Sequence, residues 1–152
     1  VIKINKKKTI ITIIASVVIV LTIGFLIFNR SSKPEKLISK NIESLIKKDV
    51  KSYNSTMDSR KQESPEKFGE AVKDIKITSI KEIAKEDFKQ YGFDALTRQK
   101  GLSEENTKIF IVDKDVEYYE HIQTSRDSGK AQGYYILTKK NNRWIIHEWW
   151  DF

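Results

Sequence analysis

The sequence predicts an α+β protein carried behind a transmembrane helix, and three observations make the prediction. Thr9 to Phe28 is a run of twenty residues without a charge. From Leu37 to Tyr53 the apolar residues recur at intervals of three and four, the spacing of helices with one buried face. From Asp74 onward the period changes to two, with turn-forming residues between the runs, as expected of strands. Helices first and an antiparallel sheet afterwards is an α+β order, and the expected layout is about three helices packed on an antiparallel sheet of about four strands.

At about 1.5 Å per residue, a helix over Thr9–Phe28 would span roughly 30 Å, the thickness of a bilayer's hydrocarbon core. Its polar members are Thr9, Thr12, Ser16, Thr22 and Gly24, and a hydroxyl can bond back to its own helix carbonyls. Lys3, Lys6, Lys7 and Lys8 precede the run, whereas Arg30, Lys33 and Lys36 follow it beside Glu35. That bias places the N-terminus in the cytoplasm and the remainder outside the cell. A cleaved signal peptide would have a shorter apolar region ending in a small-x-small site. Gly24-Phe25-Leu26-Ile27-Phe28 offers no such site, so the run reads as an uncleaved signal anchor. Val20 and Phe28 flank Gly24 at four residues, which argues against a small-residue helix-dimer motif. The expected organisation is a basic cytoplasmic flank at 1–8, a single membrane span at 9–28, a linker at 29–34 and an extracytoplasmic domain at 35–152. The linker reaches at most about 20 Å when extended, so the domain is expected close to the membrane.

The net charge of +7 belongs to the anchor. Residues 1–33 carry six basic side chains and no acidic one, leaving 22 basic and 21 acidic beyond them. A near-neutral domain lacks the electrostatic footprint of a nucleic-acid binder. The absence of cysteine removes disulfides and a lipoprotein anchor.

Within the outer domain, Leu37, Ile38, Ile42, Leu45 and Ile46 predict a helix from about Pro34 to Lys48, with proline near the first turn, where its missing N–H does no harm. Asp49 reads as the N-cap of a short second helix through Met57. Ser64-Pro65-Glu66 repeats a helix-start signature and predicts a third, carrying Phe68, Ala71 and Val72. Ile75 and Ile77 alternate with polar neighbours while Ile80 breaks parity, which predicts a bulge in a first strand from Asp74 to about Ala84. Residues 86–101 leave room for a helical turn around Phe88 and Tyr91. Phe110, Val112, Val116 and Tyr118 share one parity in a second strand over 108–120. Asp127-Ser128-Gly129 marks a hairpin loop. Gln132–Lys140 and Arg143–Asp151 are the last two strands, joined by Asn141-Asn142 in a type I′ turn.

A regular hairpin there would put Tyr135, Leu137, Trp144, Ile146, Glu148 and Trp150 on one side and Tyr134, Ile136, Ile145, His147 and Trp149 on the other. The Trp144 and Ile146 side is expected to be the core, turning Glu148 inward. The other side must be exposed, covered by residues 86–106, or docked on a partner.

The helix pair with its Lys48-Asp49-Val50 junction, followed by a helix and a meander closing on Asn142-Arg143-Trp144-Ile145-Ile146, resembles the cone-shaped fold of the nuclear-transport-factor-2-like, or cystatin-like, superfamily. More narrowly, Ile75-Lys76-Ile77-Thr78-Ser79-Ile80-Lys81-Glu82, the Gly101-Leu102-Ser103-Glu104-Glu105-Asn106 loop and the Trp-rich C-terminus look like the bacterial family called domain of unknown function 4829. The resemblance covers roughly residues 35–152. It implies secreted or membrane-anchored proteins of Gram-positive bacteria with no assigned activity, and it supplies no catalytic residues. The superfamily holds both enzymes and inert scaffolds, so fold alone decides no function.

Candidate chemistry is sparse. A Glu148 carboxylate desolvated beside Tyr135 and Trp150 would have a raised pKa and could anchor a ligand or act as an acid or base. The plainer reading is a carboxylate bonded to a tyrosine hydroxyl or to water. Tyr134, His147 and Trp149 form the candidate docking face, since aromatics concentrate at interface centres; ordinary sheet packing is the alternative. His121 and His147 are the only histidines and have no metal-ligand spacing. No catalytic motif, metal site or cofactor loop is present in the sequence. Three functional classes follow. One is a membrane-tethered, non-enzymatic domain binding an envelope protein, a peptide or a small ligand. The second is a scaffold subunit of an envelope or conjugation-type assembly. The third is an enzyme using Glu148 in a cone pocket.

Overall fold

The computed structural model describes residues 33–90, 92–122 and 127–151, the side chains of 95–97 excepted. The span predicted at Thr9–Phe28, its basic flank and most of the linker lie outside these residues, as does Tyr91. No helix among the described residues is long and apolar enough to cross a membrane. The element order is α1 (Pro34–Ile46), α2 (Val50–Asn54), β1 (Val72–Glu82), α3 (Phe93–Gln99), β2 (Thr107–Tyr118), β3 (Gly129–Lys140) and β4 (Arg143–Asp151). Three short 3₁₀ turns at Ser59–Lys61, Lys85–Asp87 and Glu104–Asn106 punctuate it. The architecture is α+β, with the strands forming one antiparallel sheet in the order β1-β2-β3-β4.

Local chemistry accounts for the helix ends. Pro34 opens α1, and Lys48, with φ of 57°, ends the turn that follows it. The Asp49 N–H reaches back to Ser44 O and the Lys48 N–H to Leu45 O, the bond pattern of a Schellman cap. Asp49 then caps α2, its carboxylate accepting from the Ser52 N–H at 2.9 Å. α2 stops at Asn54 rather than running to Met57, because Thr56–Asp58 leave the helix to pair with β4: the Ile146 N–H donates to Thr56 O and the Asp58 N–H to Ile146 O, both at 2.8 Å. This strap covers the first part of the β4 edge.

The third helix expected after Ser64 is absent. Lys67 and Gly69 both sit in the left-handed region, with φ of 59° and 63°, and two such residues within three cannot continue a right-handed helix. Phe68 still packs, edge-on against Tyr53 at 4.7 Å, while Val72 begins β1. The third α-helix lies instead at Phe93–Gln99, inside the stretch the sequence left open.

The bulge expected from Ile80 is present: the β1–β2 register shifts between Ile77 and Ser79, which brings Ile75, Ile77 and Ile80 into the same cluster. Asn141 and Asn142 have φ of 48° and 62°, and Lys140 pairs with Arg143, as the type I′ turn requires. A second bulge departs from expectation. After Leu137↔Ile146 the register slips by one, so that Ile136 faces Glu148, Tyr135 faces Trp149 and Tyr134 faces Trp150. His147 is the extra residue, and every side chain beyond it changes sides.

Both faces of the sheet are covered. Under α1 and α2, Ile38, Ile42, Tyr53 and Met57 pack with Ile75, Phe110, Val112, Val116, Tyr135, Leu137 and Ile146. On the opposite face, Ile83, Phe88 and Phe93 pack on Ile109 and Ile136, with Leu102, Ile111, Tyr134 and Trp150 at the margin. Of the three possibilities for that second face, the structure takes cover by the chain's own segment between β1 and β2.

Candidate functional site at the β4 edge

The bulge at His147 organises the candidate residues. Tyr135, Glu148 and Trp150, expected together on the core face, are separated: Tyr135 is buried under the helices, while Trp150 joins Phe93 and Tyr134 on the opposite face, at 6.0 and 5.8 Å between ring centroids. Tyr134, His147 and Trp149 are likewise divided. Trp149 lies on the helix side, stacked on Tyr135 at 6.0 Å, and its indole N–H donates to Tyr53 Oη at 2.7 Å. Tyr134 lies under Phe93 at 5.2 Å on the other side, and His147 is buried. Neither trio shares a single face.

Glu148 is not the desolvated acid expected from a regular hairpin. It lies at the rim, with one carboxylate oxygen held by Lys100 and the other 3.7 Å from Lys61 Nζ. Burial pushes its pKa up, but the hydrogen bond and charge of Lys100 together with Lys61 outweigh burial, and the net shift is downward. A carboxylate held charged by two lysines is an ion-pair member, not a proton donor at neutral pH.

Asp58 lies beside it. Its side chain is 1 % exposed, accepts from the Arg60 backbone N–H at 3.1 Å and from Lys140 Nζ at 2.8 Å, and lies 3.6 Å from His147 Nδ1. The hydrogen bonds from Arg60 and Lys140 hold this carboxyl far below the usual carboxylate range. Desolvation lowers the His147 pKa despite the opposing charge of Asp58, so the imidazole is neutral at pH 7. Its Nδ1 is buried without a hydrogen-bond partner among the described residues.

A further ionic pair lies under the helices. Lys114 occupies the buried row of β2 between Val112 and Val116, and its ammonium meets Asp151 Oδ1 at 2.7 Å, with 3 % and 8 % of the two side chains exposed. The same ammonium sits 5.6 Å from the centre of the Trp149 ring. Gly133 opposite Asp151 makes the space: a Cβ there would run into Asp151 Oδ1 and approach Trp150 O to 3.2 Å. Burial, then the charge of Asp151, drives the Tyr135 pKa well above its ordinary value. One sign of this pair is legible in the sequence: Lys114 interrupts an otherwise apolar row of period two.

Beside Glu148 a cleft of about 200 Å³ opens between the strap and β4, lined by Met57, Lys61, Glu63, Glu148 and Trp149. Larger depressions of about 400–510 Å³ lie on the far end of the sheet, along Asp74, Lys76, Asp113, Asp115 and Lys130. They are lined mainly by charged and polar side chains and are about as open as the cleft beside Glu148; within them Asp113 is engaged by Gln132 at 2.8 Å and Ser79 at 2.7 Å. Among the described residues, no three His, Asp or Glu side chains are placed to hold a metal ion. The His121 ring lies tilted against Tyr119 at 5.4 Å between centroids.

No curated protein matches the chain. The model of the family described as Domain of unknown function (DUF4829) matches residues 35–149, from the start of α1 into β4, and the chain therefore belongs to that family.

Proposed function

We propose that residues 35–152 are a non-enzymatic interaction domain with the cone-shaped fold of the nuclear-transport-factor-2-like superfamily, held outside a bacterial cell by the anchor Thr9–Phe28. The observation that carries this reading is the filling of both sides of the sheet. Phe110, Tyr135, Leu137 and Ile146 are fully buried beneath the helices, as are Phe88, Ile109 and Ile136 on the other side. A small-molecule enzyme needs a concave pocket of about 300 Å³ or more with a poised acid or base. Glu148, the best candidate acid, stands at the rim as a member of an ion pair. Recognition then falls to the surface. The uncharged run and the preceding lysines support the anchor and its direction. The short linker supports a second reading, a scaffold subunit fixed within an envelope assembly.

Two experiments test this. Tagged full-length protein recovered from cross-linked envelopes should bring down a discrete partner, and its repeated absence would remove the interaction role. Because the chain has no cysteine, a Lys130→Cys variant should react with a membrane-impermeant maleimide in intact cells. Reaction only after lysis would reverse the orientation.

A further inference from the structure

We infer that the open half of the β4 edge is a docking site for an extended peptide that places a basic side chain in the cleft beside Trp149; this rests on the interaction role above and gives it a location. Along an antiparallel pair, residues that exchange ladder hydrogen bonds alternate with residues that turn those groups outward. Ile146, opposite Leu137, turns outward, and the strap takes both of its backbone groups. β3 runs unbroken from Leu137 to Tyr135 because the extra residue lies on β4, so Trp149, opposite Tyr135, turns its N–H and C=O outward as well. The strap leaves the edge after Asp58 for the Ser59–Lys61 turn. Among the described residues, it sends no backbone bond to Trp149.

The cleft at this place fits a side chain. Its volume of about 200 Å³ is below the roughly 300–1,000 Å³ of small-molecule sites. Its chemistry selects a cation. Glu63 has no ion-pair partner for its carboxylate among the described residues, and its backbone is fixed by two 2.8 Å bonds with the Asn54 side chain. Lys61, which faces Glu148 at 3.7 Å, is half exposed and can swing away. Met57 and Trp149 complete the lining of a mainly polar cleft, and a lysine or arginine can lay its stem along them while its charge meets the carboxylates. The opposite edge differs: β1 carries exposed Lys73, Lys76 and Lys81, charges that discourage strand addition and repel a basic peptide. A peptide continuing the strap's path along β4 would gain main-chain bonds at Trp149 and charge pairing at Glu63, the recognition mode of strand addition.

The test uses the full-length chain in detergent micelles and a fluorescein-labelled heptapeptide of alternating valine and lysine. Three comparisons accompany it: the same peptide N-methylated at alternate residues, a valine–glutamate peptide, and the Glu63→Lys variant, checked for an unchanged thermal transition. Fluorescence polarisation should show binding of the lysine peptide, with slowed hydrogen exchange at the Trp149 segment. N-methylation should weaken it by about tenfold or more, and Glu63→Lys by about fivefold. Because N-methylation alters only the peptide, that result is independent of any folding defect. Absence of binding, or binding indifferent to both N-methylation and Glu63→Lys, overturns the assignment. If envelope pull-downs recover the same partner with Glu63→Lys as with wild type, the interaction role stands and this edge is not its site. If neither peptide nor partner binds, both readings fall.

Discussion

Replacing Asp58 tests the ionic cluster at the β4 edge, because one buried carboxylate there closes the strap and the start of the Ser59–Lys61 turn. Asp58→Ala removes the cap on the Arg60 N–H and the bonds from the Arg60 and Lys140 side chains. The cap contributes about 1 kcal/mol. Lys140 is 54 % exposed, so its ion pair is discounted for solvent to about 0.5–1 kcal/mol. The expected loss is about 1.5–2 kcal/mol, or roughly 5–8 °C in Tm for a domain of this size. The pH dependence has a definite sign. The folded-state pKa of Asp58 is depressed, so its contribution is complete above the ordinary aspartate value of about 3.9 and is lost as pH falls below it. Urea unfolding of the full-length chain in mild detergent, followed by tryptophan fluorescence, should therefore show a gap between wild type and Asp58→Ala at pH 7 that narrows by pH 2.5. A gap under about 0.5 kcal/mol at pH 7, within the range of ordinary surface substitutions, would refute the reasoning, as would one of constant size across that range.

The same assay checks three other outcomes. Lys114→Met takes the ammonium away from the buried Asp151 carboxylate and should cost about 3–5 kcal/mol, whereas Lys114→Met with Asp151→Leu should recover most of the loss; equal losses would mean that the pair is not coupled. Gly133→Ala should cost about 1–3 kcal/mol by pushing the Asp151 carboxylate off Lys114, and a neutral result would place that carboxylate elsewhere. Desolvation depresses the His147 pKa, so the unfolded chain binds the proton first and stability should fall as pH drops through about 6.5. His147→Gln should flatten that part of the profile, and an unchanged slope would assign it to another group.

How far the sequence reveals the fold depends on how local the determining chemistry is. α1, the Asp49 cap, the bulge announced by Ile80 and the Asn141-Asn142 turn each depend on residues within a few positions of one another, and each could be read directly. The third helix failed because the Ser64-Pro65-Glu66 start signal was overridden by Lys67 and Gly69, whose left-handed conformations no periodicity reveals. The bulge at His147 was invisible for a different reason. An unbroken register would set Tyr134 against Trp149 and Tyr135 against Glu148, whereas the bulged one sets Tyr135 and Tyr134 against Trp149 and Trp150; an aromatic pair forms either way, and no turn residue beside His147 marks the insertion. That single inserted residue moved Glu148 out of the core and divided both candidate trios. Asp58 with Lys140, and Lys114 with Asp151, are separated by 82 and 37 positions; only the folded sheet brings them together.

Site-specific photo-cross-linking in living cells would show whether the proposed docking of a partner takes place at the β4 edge. A photoreactive residue replaces either Glu63 in the β4 cleft or Lys76 on the guarded β1 edge. A discrete protein adduct is expected from position 63 and none from position 76. No adduct from either position, or an adduct from position 76 alone, would contradict that docking.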